Sequence, residues 1–464
     1  MDKNPKKFLR YATFLLILAL LVSALPLSAS SAKAPAPKNI IVMIADGMGF
    51  NTMLATSYYQ AGKPDRLVFD NFPFKFAMST YAGSEYLGGL PGDPCVGHGY
   101  DPAQAWSNFE YPKICYTDSA SAATAMATGV KTYNAAIGVD IDGNSVPNIM
   151  EAAEAVGKST GVITTVEFSH ATPAGFSAHD LSRNNYVAIA MEMVHDSRLD
   201  VIMSAGHPWY DNSAQPKATP DFRYVGGSTT WDGLVAGTAG GDADGDGDAD
   251  PWVLIQEQAE FQALGSGPTP ARVIGVAKVY TTMQQSRSGD ANADAFAVPF
   301  NTGVPTLKEM TQAALNVLDN DPDGLVLMIE GGAVDWAAHA NTTGRLIEEM
   351  YDFQDAVGAV LDWVQANSNW GETMLVITGD HETGYLWGPG SNPDWMPLVN
   401  NGAGFMPGTQ WNSPNHTNSL IAFYAKGDDA RWYTDYATLD DPVRGRYLDN
   451  TSIAKVIFQL LGAP

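Results

Sequence analysis

Acidic and histidine side chains follow two strongly apolar runs of the sequence almost immediately. They are Asp380 and His381 after the run 374–378, and Glu330, Asp335 and His339 after the run 325–329. Carboxylate oxygens and imidazole nitrogens are the ligands that divalent cations such as Zn²⁺ and Mg²⁺ take in proteins. If both runs are strands that end at one place, they deliver enough ligands for a cluster of cations. The pattern therefore predicts a metal-dependent hydrolase.

A second chemical feature is Ser119, which lies in the segment 117–127, a stretch rich in Ser, Thr and Ala. Such a segment favours a helix that begins at a Thr, Asp or Ser cap and packs closely through small residues. A capped helix without a catalytic role explains this pattern equally well. In the other interpretation Ser119 is a nucleophile at the helix N-terminus, where backbone N–H groups favour an anion. No Gly-x-Ser-x-Gly turn surrounds this serine, so its activation would require a metal ion.

The energetic demand of phosphate ester hydrolysis supports the need for metal ions. Phosphate monoesters hydrolyse so slowly in water that an enzyme must lower the barrier by roughly 20 kcal/mol or more. One general base contributes only about 3 to 5 kcal/mol. Two cations about 4 Å apart can lower the pKa of a serine, hold the phosphate oxygens and neutralise the leaving alkoxide. A lone histidine would not suffice for this reaction.

Continuous apolar runs alternate along the chain with helical patterns. The predicted strands are 40–45, 161–166, 201–204, 325–329 and 374–378, and the clearest predicted helices are 147–155, 306–318 and 346–365. Pro147 suits the first position of its helix. Unbroken apolar strands separated by helices are typical of an α/β fold with a mainly parallel central sheet and helices on both faces. Ligands of such sheets bind beyond the carboxyl ends of the strands, where Asp46, Glu330 and Asp380 lie.

Three long segments interrupt this pattern, near residues 81–116, 206–301 and 385–413. Segments of that length inside one catalytic domain, here 33–464, are usually lids, oligomer contacts or small subdomains. A homodimer is therefore one expectation, and a lid over the site is another.

The second of these segments contains an aspartate-rich tract. Asp242, Asp244 and Asp246 match the opening of a calcium-binding loop. The twelfth position of that loop is Val253, where a bidentate glutamate is expected. Ca²⁺ binding and a solvated acidic loop are both open interpretations of the tract.

The first 32 residues have the layout of a signal peptide. Four basic residues precede an apolar run at 14–25, and small residues follow up to Ala32. The apolar run is too short to span a bilayer comfortably. Cleavage near Ser30 or Ala32 would leave no stable membrane anchor, whereas an uncleaved segment would act as one. Either outcome predicts an exported protein, periplasmic or secreted.

Export also affects how the two cysteines are interpreted. Cys95 and Cys115 are the only cysteines of the chain. An oxidising compartment would let them form a disulfide that stabilises the fold by very roughly 3 kcal/mol. Two free, buried thiols are the alternative, and two cysteines alone cannot build a zinc site.

The net charge limits the partners of the protein. The chain has 51 acidic and 26 basic residues, which gives a net charge of −25. Such a surface repels polyanions, so nucleic acid is not an expected partner. A small anionic substrate would need a local positive site, which bound cations and one arginine could supply.

Taken together, the candidate residues resemble those of the alkaline phosphatases, in particular the secreted bacterial type. The matching positions, in the family's order along the chain, are Asp46 with Gly47, residues 117–120, His170, Thr172, Arg183, Glu330, Asp335, His339, Asp380, His381 and His416. Each match is weak by itself, but the set is specific, and the three long segments fall outside it. The resemblance implies hydrolysis of phosphate monoesters through a phosphoserine intermediate, for phosphate scavenging.

The resemblance also implies two Zn²⁺ and one Mg²⁺ with defined ligands. The first zinc would take Asp335, His339 and His416, the second Asp46, Asp380 and His381, and the magnesium Asp46, Thr172 and Glu330, with His170 nearby. Asp335 and His339 are spaced i, i+4, which places both on one face of a helix. Ser119 would be the nucleophile. Arg183, oriented by Asp118, would hold two phosphate oxygens through its guanidinium fork.

Other interpretations stay open on the sequence alone. A sulfatase requires a Cys/Ser-x-Pro-x-Arg motif, whereas Ser119 is followed by Ala120 and Ser121. Phosphodiesterases generally lack the arginine that Arg183 matches. A secreted acidic calcium-binding protein would leave the histidine and carboxylate pattern unexplained. The histidines expected to be structural or at the surface are His98, His179, His195 and His207.

Overall fold

The computed structural model of the protein describes residues 37–89, 93 and 95–463. The predicted signal peptide, residues 1–32, lies outside these described residues. The strands of the described chain are β1 Asn39–Ala45, β2 Phe74–Ser79, β3 Ser159–Glu167, β4 Val201–Ala205, β5 Val253–Ile255, β6 Val273–Val276, β7 Leu325–Gly331, β8 Thr373–Thr378, β9 Glu382–Thr383, β10 His416–Thr417, β11 Ile421–Lys426, β12 Leu439–Asp441 and β13 Gly445–Asp449. All five predicted strands are among them.

One large sheet organises the fold. Its strand order is β12-β13-β2-β11-β8-β1-β7-β3-β4-β6-β5, and β9 pairs with β10 in a separate ribbon. From β8 to β5 every neighbouring pair is parallel. Strand β11 runs antiparallel to both of its neighbours, β8 and β2. The predicted mainly parallel sheet is confirmed, with a mixed edge that the sequence did not indicate.

Helices cover both faces of this sheet. The helices of the described chain are α1 Phe50–Ala61, α2 Pro102–Ala105, α3 Ser119–Thr128, α4 Ile149–Glu154, α5 Ala171–Gly175, α6 Tyr186–His195, α7 Gly227–Ala236, α8 Gln258–Leu264, α9 Leu307–Leu318, α10 Ala333–His339, α11 Thr343–Asn367, α12 Tyr433–Tyr436 and α13 Ser452–Leu461, with 3₁₀ turns at Tyr111–Lys113, Arg223–Val225 and Asp428–Trp432. Within the described residues, every helix is too short or too polar to span a bilayer.

The side chains of β1 alternate between two hydrophobic cores. Ile40, Val42 and Ile44 pack in one core with residues of α3 and α13. Ile41 and Met43 pack in the other core with residues of α9 and α11. Because both faces of the strand are covered, it has no polar alternation, and the continuous apolar run in the sequence is explained.

Helix α4 begins later than predicted. It starts at Ile149 because Asn148 forms a capping box with the first turn. The Asn148 side-chain oxygen accepts from the N–H groups of Met150 and Glu151, and the Glu151 carboxylate accepts from the Asn148 N–H. Pro147 therefore precedes the cap, and the expectation that it occupies the first helical position is wrong.

The long segments contribute structure of their own. Segment 206–301 contains β5, β6, α7 and α8, and it completes one edge of the central sheet. The other two segments contact each other through aromatic rings, for example Phe109 and Tyr385 with centroids 4.7 Å apart. The predicted disulfide between Cys95 and Cys115 is present.

Candidate active site

Three neighbouring strands bring the predicted acidic ligands to one edge of the sheet. In the order β8-β1-β7, Ile44 lies opposite both Thr378 and Glu330. Asp46 follows β1 directly, and Asp380 lies just beyond β8. The carboxylates of Asp46, Glu330 and Asp380 are all fully buried. The parallel topology thus accounts for the convergence that the sequence predicted.

The turn after β1 requires a glycine. Gly47 has a φ of +74°, and a Cβ at this position would lie 2.9 Å from the Cα of Asp335. Its N–H donates to Asp380 Oδ1 at 3.0 Å. These two contacts join the Asp46 turn to Asp335 of α10 and to Asp380 beyond β8.

The first ligand group consists of Asp335, His339 and His416. His339 Nδ1 donates to the carbonyl of Pro414 at 2.6 Å. His416 Nδ1 likewise donates to the carbonyl of Thr117 at 2.9 Å. Both Nε2 atoms are therefore lone-pair acceptors, yet they lie 2.9 Å apart and 3.4 and 3.6 Å from the Asp335 carboxylate. Acceptors that face one another in this way fit a bound cation.

The second ligand group consists of Asp46, Asp380 and His381, beside Ser119. His381 Nε2 lies 3.1 Å from Asp380 Oδ2 and 3.6 Å from Asp46 Oδ1. The Ser119 Oγ lies 3.2 Å from the same nitrogen. Both Asp46 oxygens and Asp380 Oδ2 are buried without a hydrogen-bond partner. Buried acceptors without donors are costly, so this group also fits a cation.

Thr383 links the two groups, although it was not predicted. Its hydroxyl donates to Asp335 Oδ1 at 2.6 Å and therefore accepts from His381 Nδ1 at 3.1 Å. His381 Nε2 is thereby left as an acceptor toward the carboxylates. Thr383 lies two residues after His381, in the short strand β9. No local pattern distinguishes it from other threonines, because its contact with Asp335 comes from the fold.

The third ligand group consists of Asp46, His170 and Glu330. Glu330 Oε2 accepts from the hydroxyl of Thr164, whereas Oε1 is buried without a hydrogen-bond partner. The hydroxyl of Thr172 is buried without a hydrogen-bond partner of its own, and its proximity to Glu330 lowers the pKa of this carboxyl against the effect of burial. A set rich in oxygen suits Mg²⁺ better than Zn²⁺.

Burial dominates the electrostatics of these ligands. It raises the pKa of Asp46 well above its usual range, with a further contribution from the charge of Asp380. Burial also raises the pKa of Glu330 to about 8 and that of Asp380 to about 7. The pKa of His381 is lowered, first by burial and then by His416. The carboxylates of the ion-free site therefore retain protons that divalent cations would displace.

This protonation predicts that the ion-free protein becomes less stable as the pH rises. Unfolded carboxyl groups have a pKa of about 4, so these carboxyl groups bind more protons in the folded state than in the unfolded state up to about pH 8. The lowered pKa of His381 opposes this effect only below about pH 6.5, which leaves a window from about pH 6.5 to pH 8. The free energy of unfolding should fall across this window, by at most about 1.4 kcal/mol per pH unit for each group. Metal-loaded protein should show a smaller fall, because its ligands no longer take up protons, whereas buried acids outside the site such as Glu349 still do. Thermal denaturation of chelated and reloaded protein at several pH values checks it, and parallel pH trends in the two forms would contradict it.

Ser119 is the first residue of α3 and lies at the N-terminus that the sequence predicted. Asp118 caps this helix by accepting from the Ser121 N–H at 3.0 Å. Gly175 of α5 lies so close to α3 that a Cβ there would approach the Ala123 Cβ to 2.7 Å. The small residues of the segment therefore permit tight packing, and every residue of α3 is buried. This packing fixes the position of Ser119.

Arg183 is held between Asp118 and His170. Its Nη1 donates to Asp118 Oδ2 at 3.0 Å, and its Nη2 donates to His170 Nε2 at 3.1 Å. Burial opposes both charges of the ion pair, but the pairing outweighs it, so the pKa of Asp118 is lowered and that of Arg183 is raised. Because His170 Nε2 accepts from the guanidinium, that nitrogen cannot bind a cation at the same time. His170 therefore helps to orient Arg183.

The remaining candidates lie outside this site. Among the described residues, none of the three-ligand groups includes His98, His179, His195 or His207. Asp242, Asp244 and Asp246 do approach within 4.8 Å of one another, but all three are exposed to solvent. Val253, at the twelfth position of that loop, supplies no carboxylate. Ca²⁺ binding at the tract stays a prediction.

A parallel sheet that gathers buried carboxylates, imidazoles and a serine at one edge is the architecture of a metal-dependent hydrolase. The sequence profile of the family described as alkaline phosphatase matches residues 37–432. The chain therefore belongs to the alkaline phosphatase family, and it is a phosphatase.

Individual relatives agree with this assignment. Alkaline phosphatase 3 of Bacillus subtilis (strain 168) is 31% identical over 398 residues, which cover 83% of this chain and 71% of the relative. The alkaline phosphatase of Escherichia coli (strain K12) is 29% identical over 374 residues, which cover 74% of this chain and 70% of the relative. The solved alkaline phosphatase of the Antarctic bacterium TAB5 has a TM-score of 0.62 at 25% identity, covering 93% of this chain and 100% of the solved one. The predicted fold class and enzyme class are confirmed.

Proposed function

We propose that the protein hydrolyses phosphate monoesters to an alcohol and inorganic phosphate through a phosphoserine at Ser119, for phosphate scavenging. The observation that carries this proposal is the position of Ser119 Oγ, 3.2 Å from His381 Nε2 at the N-terminus of a buried helix. Membership of the alkaline phosphatase family supports the reaction class.

Two Zn²⁺ and one Mg²⁺ would complete the site. The first zinc would be held by Asp335, His339 and His416, the second by Asp46, Asp380 and His381, and the magnesium by Asp46, Thr172 and Glu330. Histidine-containing groups suit zinc, and the oxygen-rich group suits magnesium. A variant of the TAB5 enzyme is described with magnesium in its M3 site, which supports magnesium here. Bound ions supply positive charge that lowers the pKa of a nearby hydroxyl and offsets the charge of the phosphate.

Ser119 would attack phosphorus in line with the departing ester oxygen. The Ser119 hydroxyl gives up its proton to solvent and the bond from Oγ to phosphorus forms as the ester bond from phosphorus to oxygen breaks, and the leaving alkoxide takes up a proton from solvent. Water then attacks the phosphoserine, which releases phosphate and restores the hydroxyl. The N–H groups at the start of α3 favour the anion throughout. The His339 side chain is 39% exposed, so this side of the site is open for the alcohol to leave.

Arg183 would bind two oxygens of the phosphate, since Asp118 and His170 hold its guanidinium in place. Replacing Arg183 with alanine should weaken inhibition by inorganic phosphate about 10- to 100-fold, because hydrogen bonds to a charged group contribute about 1.5–3 kcal/mol. The kcat should fall less than kcat/KM. Steady-state kinetics with phosphate as inhibitor measure both quantities.

A lysine at the same position is the matched control. Arg183→Lys keeps the positive charge but loses the forked pair of donors. Its inhibition by inorganic phosphate should therefore be weaker than that of the wild type and stronger than that of Arg183→Ala. If phosphate inhibits Arg183→Ala and the wild type equally well, Arg183 does not bind the anion.

The proposed location is the periplasm or the exterior, after removal of residues 1–32 and without a stable membrane anchor. The disulfide between Cys95 and Cys115 supports an oxidising compartment. Nucleic acid is not a proposed partner, because the net charge of −25 repels polyanions. A homodimer is proposed, and light scattering of the purified protein tests it.

Comparison of three ester classes tests the proposed reaction. Turnover of an aryl phosphate monoester, the matching diester and the matching sulfate ester should be measured on metal-loaded protein. We expect the monoester to be preferred by a wide margin. Faster turnover of the diester or the sulfate ester would overturn the proposal.

A further inference from the structure

A cleft of about 410 Å³ lies between α11 and the segment that precedes α9. None of the residues assigned above to the active site lines it. Its walls combine aromatic rings with carboxylates, and none of the described residues that line it is Lys, Arg or His. The Arg287 guanidinium lies just behind this wall, 4.4 Å from the centroid of the Phe300 ring. A cavity of this size and charge is suited to a cationic ligand.

One carboxylate oxygen in this cleft lacks a hydrogen-bond partner among the described residues. Glu349 is only 4% exposed, and its Oε1 has no hydrogen-bond partner. Its neighbour Glu348 is different, because Arg287 Nη2 donates to it at 2.8 Å. Asp352 accepts from the Leu307 N–H at 3.2 Å. Glu349 therefore remains as the buried acceptor in the cleft without a compensating donor.

Burial of an unpaired carboxylate is unfavourable. Burial raises the pKa of Glu349 well above its usual range, and the charges of Asp352 and Glu348 add to the shift. Arg287 makes the smallest contribution and lowers this pKa, since its guanidinium is paired with Glu348. A cation from solution would add to this partial compensation.

Three aromatic rings face the same space. The Phe296 ring lies 5.1 Å from that of Tyr351 and 6.0 Å from that of Phe300, measured between centroids. Phe296 and Phe300 are each 42% exposed, so their rings are accessible from solution. Rings of this kind attract cations through their faces, and alkylated ammonium ions most of all.

The position of Phe296 is fixed by its backbone. Its φ of +66° lies in the left-handed region, which a phenylalanine rarely adopts. The Phe296 N–H donates to Glu348 Oε1 at 2.7 Å, which holds this conformation. Backbone strain of this type is typical of binding sites. The backbone that carries the ring is therefore held in place by a contact within the cleft.

The carboxylates of the cleft do not form a site for a bare metal ion. Within the described part of the chain, none of the ligand groups with atoms close enough to share an ion includes Glu348, Glu349 or Asp352. A cation with an apolar body would instead contact the rings while its charge faces Glu349. We propose that this cleft binds an organic ammonium ion with apolar substituents.

Calorimetric titration of the metal-loaded protein with tetramethylammonium chloride tests this proposal, with sodium chloride at equal ionic strength as the reference. The wild type should bind tetramethylammonium saturably. Glu349→Gln and Phe296→Leu should each weaken binding about tenfold or more, because they remove the charge and one ring face. Both variants should hydrolyse a phosphate monoester at the wild-type rate, so the result does not depend on the proposed function.

Asp362→Asn is the matched control, because Asp362 is an exposed acid on the same helix and does not line the cleft. It should bind like the wild type. The proposal is overturned if the wild type shows no saturable binding, if Asp362→Asn weakens binding as much as Glu349→Gln does, or if Mg²⁺ or Ca²⁺ competes for the cleft more strongly than tetramethylammonium. If Glu349→Gln does not fold, Phe296→Leu decides the question.

Discussion

Replacing Ser119 with alanine is expected to lower the kcat for a phosphate monoester by about 10³-fold or more. The reason is that Ser119 Oγ is the hydroxyl placed at the ligand set, 3.2 Å from His381 Nε2. Removal of this oxygen leaves the ligand groups and Arg183 in place, so phosphate should still bind. Steady-state turnover and phosphate inhibition, measured on metal-loaded protein, separate the two effects.

Ser121 provides the control for that substitution. It is buried on the same helix, but its hydroxyl contacts Thr117, Asp118 and Asn134 rather than the ligand set. The kcat of Ser121→Ala should therefore fall by only about tenfold or less. The fall would come from a small shift of Asp118, whose hydrogen bond to Arg183 remains. Equal losses in the two variants would indicate that the helix, and not the Ser119 hydroxyl, is what turnover requires.

Replacing Asp46 with alanine is expected to abolish most activity as well, again by about 10³-fold or more. Asp46 belongs to the second and to the third ligand group, so one substitution removes a ligand from two ions. Each ion is expected to contribute several kcal/mol of charge stabilisation to the transition state. Metal analysis of the purified variant should show the loss of two ions relative to the wild type.

Glu330→Gln separates the two groups that share Asp46. Glu330 belongs to the third group alone, so this variant should lose one ion and keep the other two. Its activity should fall less than that of Asp46→Ala. Wild-type metal content in Asp46→Ala would contradict the assignment of a shared ligand.

The strand-end ligands could be predicted from the sequence because their positions follow from local patterns. Asp46, Glu330 and Asp380 come at the ends of apolar runs, and parallel strands end at one edge of the sheet. The spacing of Asp335 and His339 likewise predicts one helix face. His416 has no such local signal, since it begins a strand of only two residues, and only the family resemblance identified it.

Other features depend on contacts between distant parts of the chain. Strands β5 and β6 have three and four residues, too few for a periodic pattern, and they lie inside a segment interpreted as an insertion. Thr383 is one threonine among many until the fold places it between Asp335 and His381. The cleft between α11 and the segment that precedes α9 is lined by both Phe296 and Glu349, which are about fifty residues apart in the sequence. The backbone conformation of Phe296 cannot be inferred from its residue type.

The most direct test of the central claim is to look for phosphate on Ser119 during turnover. Metal-loaded protein should be mixed with a monoester, quenched in acid within the first turnovers and digested for peptide mass spectrometry. Phosphate is expected on the peptide that contains Ser119, and none on that peptide from Ser119→Ala. Full turnover without phosphate on that serine would contradict the claim.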